Sequence, residues 1–184
     1  VMNYHEFLKG KSHTLGSFGF KAKWFPEIAF DFQKHVIEKS LYKGRIANFL
    51  DTGLGKTIIQ LSEAYNVVLH TNKKVLILTP LAVAFQFIKE AEKIGIDDIE
   101  YSKDGKHSKK IVICNYERLH YFDSSDFECM ILDESSILKN FDGKIKNQIN
   151  SFIKKLPYRF LSTATPSPND FIELGTSSEA LGYM

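Results

Sequence analysis

A glycine-rich run, LDTGLGKT at positions 50–57, carries the clearest chemistry in the chain. Gly53 and Gly55 allow the backbone to turn tightly, so that amide N–H groups can point at phosphate oxygens. Lys56 would then reach the outer phosphates, and the hydroxyl of Thr57 would hold Mg²⁺. The run follows an apolar segment and opens an amphipathic one, which is the setting that a phosphate-binding loop requires. The alternative is an ordinary strand-to-helix turn that contains the same residues.

An acidic pair, Asp133 and Glu134, follows another apolar segment. Carboxylates at the C-terminal end of a strand lie where ligands bind in open α/β sheets. An Asp there can hold Mg²⁺, usually through water, and the adjacent Glu can polarise a water molecule for attack on a terminal phosphate. Alone, such a pair more often caps a helix or faces solvent. The phosphate loop upstream favours the catalytic interpretation.

Two further segments carry polar groups with suitable chemistry. The amide of Gln33 can donate to and accept from an adenine edge, and a nearby aromatic ring can stack on the base; equally, Gln33 can be a polar residue on a surface helix. In LSTATPSPN, at 161–169, Thr163 and Thr165 have small hydroxyls that can bond carboxylates or backbone, and the prolines stiffen the turn. By itself this segment is a proline-rich turn.

Short apolar runs that alternate with helix-length segments must position these groups. The runs that predict buried strands are Arg45–Leu50, Val75–Thr79, Ile111–Cys114, Cys129–Leu132 and Arg159–Ser162, with a weaker one at Ile99–Ser102. The segments that predict helices begin at Pro26 and end at Gly44, or lie at Lys56–Val68, Ala82–Ile94 and Lys144–Leu156. This alternation predicts an α/β fold with a mainly parallel central sheet and helices on both faces.

Composition restricts the classes of protein. The chain has 184 residues, of which 43% are hydrophobic, enough for one folded domain. Its 24 basic and 22 acidic residues leave a net charge of +2, so no global basic field indicates a nucleic-acid binder. The two cysteines argue against a secreted disulfide framework, and no run reaches the roughly 20 apolar residues of a membrane span. We therefore expect a soluble, cytoplasmic protein without a membrane partner.

The order of the motifs resembles a known family. Along the chain they are Gln33, DTGLGKT at 51–57, LTPLA at 78–82, NYE at 115–117, LDESSILKN at 132–140 and LSTATPSPN at 161–169. This series is similar to the first RecA-like ATPase domain of DEAD-like superfamily 2 helicases, particularly the Swi/Snf-related branch with its phage and prophage members. The strict phosphate-loop pattern has glycine where this chain has Leu50, a departure that helicase-like ATPases share. The resemblance implies a RecA-like P-loop NTPase domain.

Carried over position by position, the resemblance implies that ATP, Mg²⁺ and DNA are the ligands. The implied ATP-binding residues are Gln33, Thr52, Gly53, Leu54, Gly55, Lys56, Thr57 and Ile58. The implied catalytic residues are Lys56, Thr57, Asp133 and Glu134, with Thr57 and Asp133 as Mg²⁺ ligands and Glu134 as the base. Those that would couple nucleotide to DNA are Ser136, Thr163 and Thr165. Those that would touch the DNA backbone are Pro80, Leu81, Ala82, Asn115 and Tyr116, although LTPLA can also be a plain strand end and Tyr116 a core aromatic residue.

The segment after the acidic pair departs from the family. Relatives usually have Ala-His or Ala-Asp there, whereas this chain has Ser135 and Ser136. A serine hydroxyl can form a hydrogen bond, but it is shorter than a histidine and does not titrate near neutral pH. We therefore expect the connection from the acidic pair to the Thr163 region to differ from the usual one.

Arginine is scarce, although helicase-type motors use arginines from a second RecA-like domain to stabilise charge on the phosphoryl group. Arg45 and Arg159 begin predicted strands, opposite the expected ligand edge, and Arg118 lies in NYERL. We expect residues 1–24 to be a partly ordered lead-in and residues 25–184 to be the first RecA-like domain, with the second absent from this chain.

On this interpretation, the chain is the ATP-binding lobe of a DNA-dependent helicase or double-stranded DNA translocase in a bacterial or phage-infected cell. Alone it would bind nucleotide and hydrolyse it poorly. The alternatives are a nucleotide-binding or partner-docking module without motor activity, and a phosphate-loop phosphotransferase that acts on a small molecule.

Overall fold

Strands and helices alternate along the chain. The computed structural model describes residues 18–134 and 143–164, together with 178, 181 and 182. The strands are β1 (Arg45–Phe49), β2 (Lys74–Leu78), β3 (Ile99–Tyr101), β4 (Ile111–Cys114), β5 (Phe127–Asp133) and β6 (Tyr158–Thr163). The α-helices are α1 (Asp31–Lys43), α2 (Lys56–Thr71), α3 (Leu81–Lys93) and α4 (Gly143–Ile153). Two 3₁₀ helices, Tyr116–Tyr121 and Ser124–Asp126, connect β4 to β5.

The six strands form one sheet in the order β1-β6-β5-β2-β4-β3, and every neighbouring pair is parallel. This confirms the predicted α/β fold with its parallel central sheet. β6 and β5 lie between β1 and β2, so the strand that precedes the glycine-rich run and the strand that ends in the acidic pair are separated only by β6. Because all strands run the same way, their C-terminal ends share one edge, where ligands bind in such folds.

Helices cover both faces of the sheet, and the strand side chains alternate between two cores. In β2, Val75 and Ile77 face the core that contains the helices α1, α2 and α3. Leu76 and Leu78 face the opposite core, which contains α4. A strand buried on both faces needs an apolar residue at every position, which explains why these runs lack an alternating pattern.

The helix that the sequence predicts from Pro26 begins later, at Asp31. Pro26 instead opens a turn, in which the N–H of Ala29 donates to the Pro26 carbonyl at 3.0 Å. The side chain of Gln33 accepts a hydrogen bond from the N–H of the residue before the helix, satisfying one of the amides left free at a helix start. The helix ends where predicted, at Gly44, whose φ of 70° suits glycine.

Residues 18–25 pack against the first two helices. The N–H of Phe20 donates to the carbonyl of Leu41 in α1 at 2.9 Å. Asn66 in α2 accepts from the N–H groups of Lys23 and Trp24 at 2.7 and 3.0 Å, and donates to the Trp24 carbonyl at 2.8 Å. This part of the predicted lead-in is therefore an ordered layer of the domain, whereas residues 1–17 lie outside the described residues.

Both cysteines, Cys114 and Cys129, are buried free thiols in central strands, as the sequence predicts. Burial raises the pKa of each thiol above its ordinary value, so neither has the thiolate character that reactivity requires. Among the helices that the structure describes, none has both the length and the apolar character needed to cross a membrane.

Candidate functional site

The glycine-rich run forms the turn between β1 and α2, and both of its glycines adopt left-handed backbone conformations. The φ angles are 82° at Gly53 and 74° at Gly55. A Cβ on Gly53 would meet no atom within 4 Å, whereas one on Gly55 would lie 2.3 Å from Nε2 of Gln33. α2 begins immediately afterwards, at Lys56, and has no acidic residue in its first turn. The free N–H groups and positive end of this helix can therefore receive an anion.

Lys56 lies beside the acidic pair. Its Nζ is 3.8 Å from Oε2 of Glu134 and 3.5 Å from the carbonyl of Leu50. The hydroxyl of Thr163, at the end of β6, donates to the other oxygen of Glu134 at 2.7 Å. Glu134 has a φ of 53°, an unfavourable conformation for a residue with a side chain, of the kind that is concentrated at functional sites. The fold thus brings together residues 56, 134 and 163, which the sequence assigns to one site.

Asp133 is buried at the last position of β5, and both of its carboxylate oxygens accept hydrogen bonds. Nε2 of Gln60 donates to Oδ1 at 3.1 Å, and the hydroxyl of Thr79 donates to Oδ2 at 2.8 Å. Burial raises the pKa of Asp133, more than the bonds from Thr79 and Gln60 lower it, and the charge of Glu134 raises it further. Gln60 belongs to no motif in the sequence, but its position one helical turn after Lys56, on the same helix face, is a usable signal.

A cavity of about 360 Å³ opens over the loop. Its lining residues are Thr52, Gly53, Gly55, Lys56, Thr57, Ile58, Gln86 and Glu90. Five loop residues and Ile58, all predicted to bind ATP, therefore border one space. Gln86 and Glu90 come from α3 and were not predicted; they face the loop because α2 and α3 pack side by side.

The oxygen donors here fit a Mg²⁺ ion that arrives with a nucleotide. Asp133, Glu134 and Thr57 offer hard oxygen ligands, which Mg²⁺ prefers. Across residues 18–134 and 143–164, no group of three or more His, Cys, Asp and Glu side chains could hold a metal ion. Mg²⁺ commonly takes only one or two protein ligands and completes its shell with phosphate oxygens and water, so this sparse set suits it.

Gln33 is almost fully buried, with 3% of its surface exposed, so the interpretation as a surface-helix residue is wrong. Its Nε2 donates to the carbonyl of Leu54 in the loop at 3.0 Å, and its Oε1 accepts from the N–H of Phe30 at 3.0 Å. Phe30 is 67% exposed and stacks on Phe32, with ring centroids 6.1 Å apart. Exposed aromatic rings therefore lie next to a glutamine that contacts the loop.

The segment at Asn115 and Tyr116, which the resemblance assigns to DNA, has both of its side chains engaged within the domain. Tyr116 is 2% exposed, and its hydroxyl donates to the backbone carbonyl of Asp133, so the core interpretation holds. The Asn115 side chain is also engaged, accepting from the Tyr101 hydroxyl at 3.0 Å and donating to Glu117 at 2.5 Å.

The second segment assigned to DNA lies at the start of α3 and is more accessible. Leu81 is 53% exposed, Ala82 is exposed and Pro80 is half-buried. One turn along the helix, Phe85 is 58% exposed, and its ring lies 5.6 Å from that of Tyr101. In the sequence, the spacing of four positions between Leu81 and Phe85 places both on one helix face, which is the available signal for this surface.

The remaining predictions concern two proposed coupling residues and two arginines. Ser136 and Thr165 lie outside the described residues. Arg45 and Arg159 pair in register at the N-terminal ends of β1 and β6, opposite the loop, as predicted. Arg159 donates to the carbonyls of Leu156 and Lys154, and burial lowers its pKa to about 10.

Comparison with known proteins gives matches in family and in fold. Residues 30–173 match the family profile described as DEAD/DEAH box helicase. The Sulfolobus solfataricus SWI2/SNF2 ATPase core in complex with dsDNA has a TM-score of 0.72 at 20% identity, covering 89% of this chain and 38% of that one. The UvsW helicase from bacteriophage T4 has a TM-score of 0.67 at 19% identity, covering 96% and 65%. The Pyrococcus furiosus Hef helicase domain has a TM-score of 0.66 at 19% identity, covering 82% and 36%.

No curated protein sequence matches the chain significantly. At such identities the structural likeness establishes the fold, and the chain spans between 36% and 65% of the length of these three structures. The family profile covers well over half of the chain, which establishes the family and confirms the predicted resemblance. The chain therefore belongs to the DEAD/DEAH box helicase family, and its fold is that of the helicase-type ATP-binding domain of superfamily 2.

Proposed function

We propose that this chain is the ATP-binding lobe of a DNA-dependent ATPase, either a helicase or a double-stranded DNA translocase. The observation that carries the proposal is the convergence of Lys56, Glu134 and Thr163 at the C-terminal edge of the sheet. Glu134 lies 3.8 Å from Nζ of Lys56 and accepts from the Thr163 hydroxyl at 2.7 Å. Three separate elements contribute these groups, and the buried Asp133 lies next to them. A turn with structural purpose alone would not require this set.

In this proposal, the amides of the loop and the charge of Lys56 hold the triphosphate. The exposed ring of Phe30 faces the adenine beside Gln33, whose buried amide bonds to the carbonyl of Leu54. Thr57 and Asp133 would hold Mg²⁺, which would supply positive charge against the phosphates of the nucleotide. Glu134 orients water and accepts its proton, and the hydroxyl of Thr163 fixes that carboxylate.

By resemblance to the family, the proposal also includes a second RecA-like domain and the residues that couple the nucleotide site to DNA. Thr163 joins the end of β6 to Glu134, so a movement of β6 reaches the base directly. Ser136 and Thr165 act in the same connection. Arginine from the second domain completes the charge stabilisation, since Arg45 and Arg159 lie at the far edge of the sheet. The lobe alone is therefore expected to bind nucleotide and to hydrolyse it slowly.

DNA would lie along exposed side chains at the end of β4 and the start of α3. Leu81 and Phe85 form one side of this surface. Arg118 and Tyr121, both exposed, form the other, with the Arg118 guanidinium 5.8 Å from the centre of the Tyr121 ring. Exposed aromatic rings beside a cation are typical of nucleic-acid contact, because bases stack on rings and phosphates attract the charge.

Calorimetric titration of this chain with Mg²⁺ and a non-hydrolysable ATP analogue tests the nucleotide site. Lys56→Ala should weaken binding roughly 10- to 100-fold, the usual effect of losing a charge-assisted hydrogen bond. Lys89→Ala, which removes an exposed lysine from α3, is the matched control and should bind normally. Unchanged affinity in Lys56→Ala would show that the loop assignment is wrong. In a two-domain protein, Glu134→Gln should bind nucleotide and lose turnover; unimpaired hydrolysis would remove Glu134 as the base.

Fluorescence anisotropy with labelled duplex and single-stranded DNA tests the second surface. Phe85→Ala and Arg118→Ala should each weaken binding several-fold, since a stacked ring or a phosphate contact contributes about 1–3 kcal/mol. Tyr42→Ala removes an equally exposed aromatic ring from α1 and serves as the control. Equal DNA affinity of all three variants and the unmodified chain would contradict this placement of DNA.

A further inference from the structure

Three buried side chains hold Asp133, each from a different element. Gln60 of α2 and Thr79 at the end of β2 donate to the two carboxylate oxygens at 3.1 and 2.8 Å. Tyr116 of the first 3₁₀ helix donates to the Asp133 backbone carbonyl. Gln60 and Thr79 have no exposed surface, and Tyr116 has 2%. Buried and bonded in this way, these groups have little freedom, so a shift of their elements must move Asp133.

Thr79 directly adjoins the surface proposed for DNA. Thr79 precedes Pro80, and α3 begins one residue later, so the exposed Leu81 lies two positions from the Asp133 contact. The backbone N–H of Thr79 also donates to the carbonyl of Cys114 at 3.1 Å, which ties the ends of β2 and β4 together.

Tyr116 reaches the same surface through a chain of contacts. The ring of Phe85 lies 5.6 Å from that of Tyr101, whose hydroxyl donates to Asn115 at 3.0 Å. Tyr116 is the next residue, and its hydroxyl bonds to Asp133. Both connections therefore run from exposed side chains to Asp133, one ending at its carboxylate and the other at its backbone carbonyl.

We propose that Thr79 and Tyr116 are positioning residues that couple the DNA surface to Asp133. The proposal rests on the proposed function, since it joins the nucleotide and DNA sites named there. DNA that contacts α3 or the 3₁₀ helix shifts the two hydroxyls. The Thr79 hydroxyl then turns the Asp133 carboxylate and the Tyr116 hydroxyl displaces the Asp133 backbone, which would change how Asp133 holds Mg²⁺. By thermodynamic reciprocity, Mg²⁺ and nucleotide must change DNA affinity by the same factor. The Thr163 to Glu134 bond is a separate connection, because it meets the neighbouring carboxylate from β6.

The test measures the DNA affinity of the full chain by anisotropy, with and without Mg²⁺ and a non-hydrolysable ATP analogue. The ratio of the two affinities is the coupling factor. The expected factor for the unmodified chain is about fivefold or more, within the range usual for coupled sites. Thr79→Val keeps the side-chain shape and removes the hydroxyl, and Tyr116→Phe does the same at the second position. Each variant should bring the factor towards one and shift the midpoint of a Mg²⁺ titration of nucleotide binding several-fold.

Two controls separate positioning from folding. Thr79→Ser keeps the hydroxyl and should restore the coupling factor. Thr71→Val removes a hydroxyl at the C-terminal end of α2 that donates to the carbonyl of Val67 and accepts from the N–H of Lys73. Neither bond involves Asp133, so this variant should leave the factor unchanged. Thermal unfolding by circular dichroism verifies that each variant is folded.

The outcomes distinguish this proposal from the proposed function. If the unmodified chain binds nucleotide and DNA and Thr79→Val and Tyr116→Phe retain its coupling factor, the positioning proposal is overturned while the function stands. If Thr79→Ser fails to restore a factor that Thr79→Val has lost, the hydroxyl is not the coupling group, which also overturns it. If the unmodified chain binds no DNA at all, both proposals fall.

Discussion

Glu63 provides a quantitative test of the buried structure behind the phosphate loop. It lies in α2 with no exposed surface, two helical turns after the loop lysine. Asn48 of β1 donates to its Oε1 at 3.0 Å, and among the residues described its Oε2 has no hydrogen-bond partner. Burial raises the pKa of this carboxyl from 4.5 to about 8, and hydrogen bonds from neighbouring side chains lower it less. Glu63 is therefore mainly protonated in the folded protein at neutral pH.

The direction of the pKa shift fixes how stability depends on pH. A raised pKa means that the folded state holds the proton more tightly than the unfolded state. The contribution of Glu63 to the free energy of unfolding is thus fully present below pH 4.5 and is lost as the pH rises through about 8. At about 1.36 kcal/mol per pKa unit, the loss is roughly 3 kcal/mol by neutral pH and approaches roughly 5 kcal/mol at higher pH.

Glu63→Gln replaces the titrating carboxyl with a neutral amide of the same shape and keeps the acceptor for Asn48. Urea unfolding of both proteins, near pH 5 and near pH 9, gives the difference between their free energies of unfolding. That difference should shift in favour of the variant by roughly 4 kcal/mol across this interval. Other titrating groups cancel because both proteins share them, and any repacking offset is the same at each pH. Glu38→Gln, an exposed change in α1, is the control and should show no such shift. If the difference for Glu63→Gln does not depend on pH, Glu63 does not have a raised pKa in the folded protein.

Two further substitutions test the loop and the N-terminal layer. Gly55→Ala should weaken nucleotide binding about tenfold or more in calorimetry, because it combines backbone strain with a close contact between the added Cβ and Gln33. Gly95→Ala is the control: it carries the same strain at a φ of 78°, with no atom near the added Cβ, and should bind nucleotide normally. Asn66→Ala should lower the free energy of unfolding by roughly 1–3 kcal/mol in urea, because it leaves three partly buried backbone groups without their partner. It should also speed amide hydrogen exchange in residues 18–25. Asn147→Ala, an exposed change in α4, should do neither.

The sequence predicts the sheet well because its strands are local apolar runs between clear helix signals. The exception in length is β5, which begins two residues before the predicted Cys129. Glu128 interrupts the apolar run there, but its carboxylate pairs with Lys73 at 2.8 Å, where β2 and β5 begin. A charged residue near a strand end therefore conceals the strand in the sequence, because its ion pair depends on tertiary structure.

The residues of the candidate site that can be predicted are those that lie together in short motifs of the sequence. The loop and the acidic pair each occupy a short run, so their residue types and spacing indicate the function. Gln60 and Thr79 are ordinary polar residues until the fold places them against Asp133. Tyr116 shows the converse, since a motif position that suggested DNA contact is a buried hydroxyl donor.

The two adjacent carboxylates are held from opposite sides of β5. Its neighbours in the sheet are β2 and β6, and a threonine at the end of each donates to one member of the pair. Thr79 bonds to Asp133 and Thr163 bonds to Glu134. Because these strands meet the pair separately, a displacement of β2 acts on the proposed metal ligand and a displacement of β6 on the proposed base. In the function proposed above, DNA therefore acts on Asp133 through Thr79, whereas movement of β6 acts on Glu134 through Thr163.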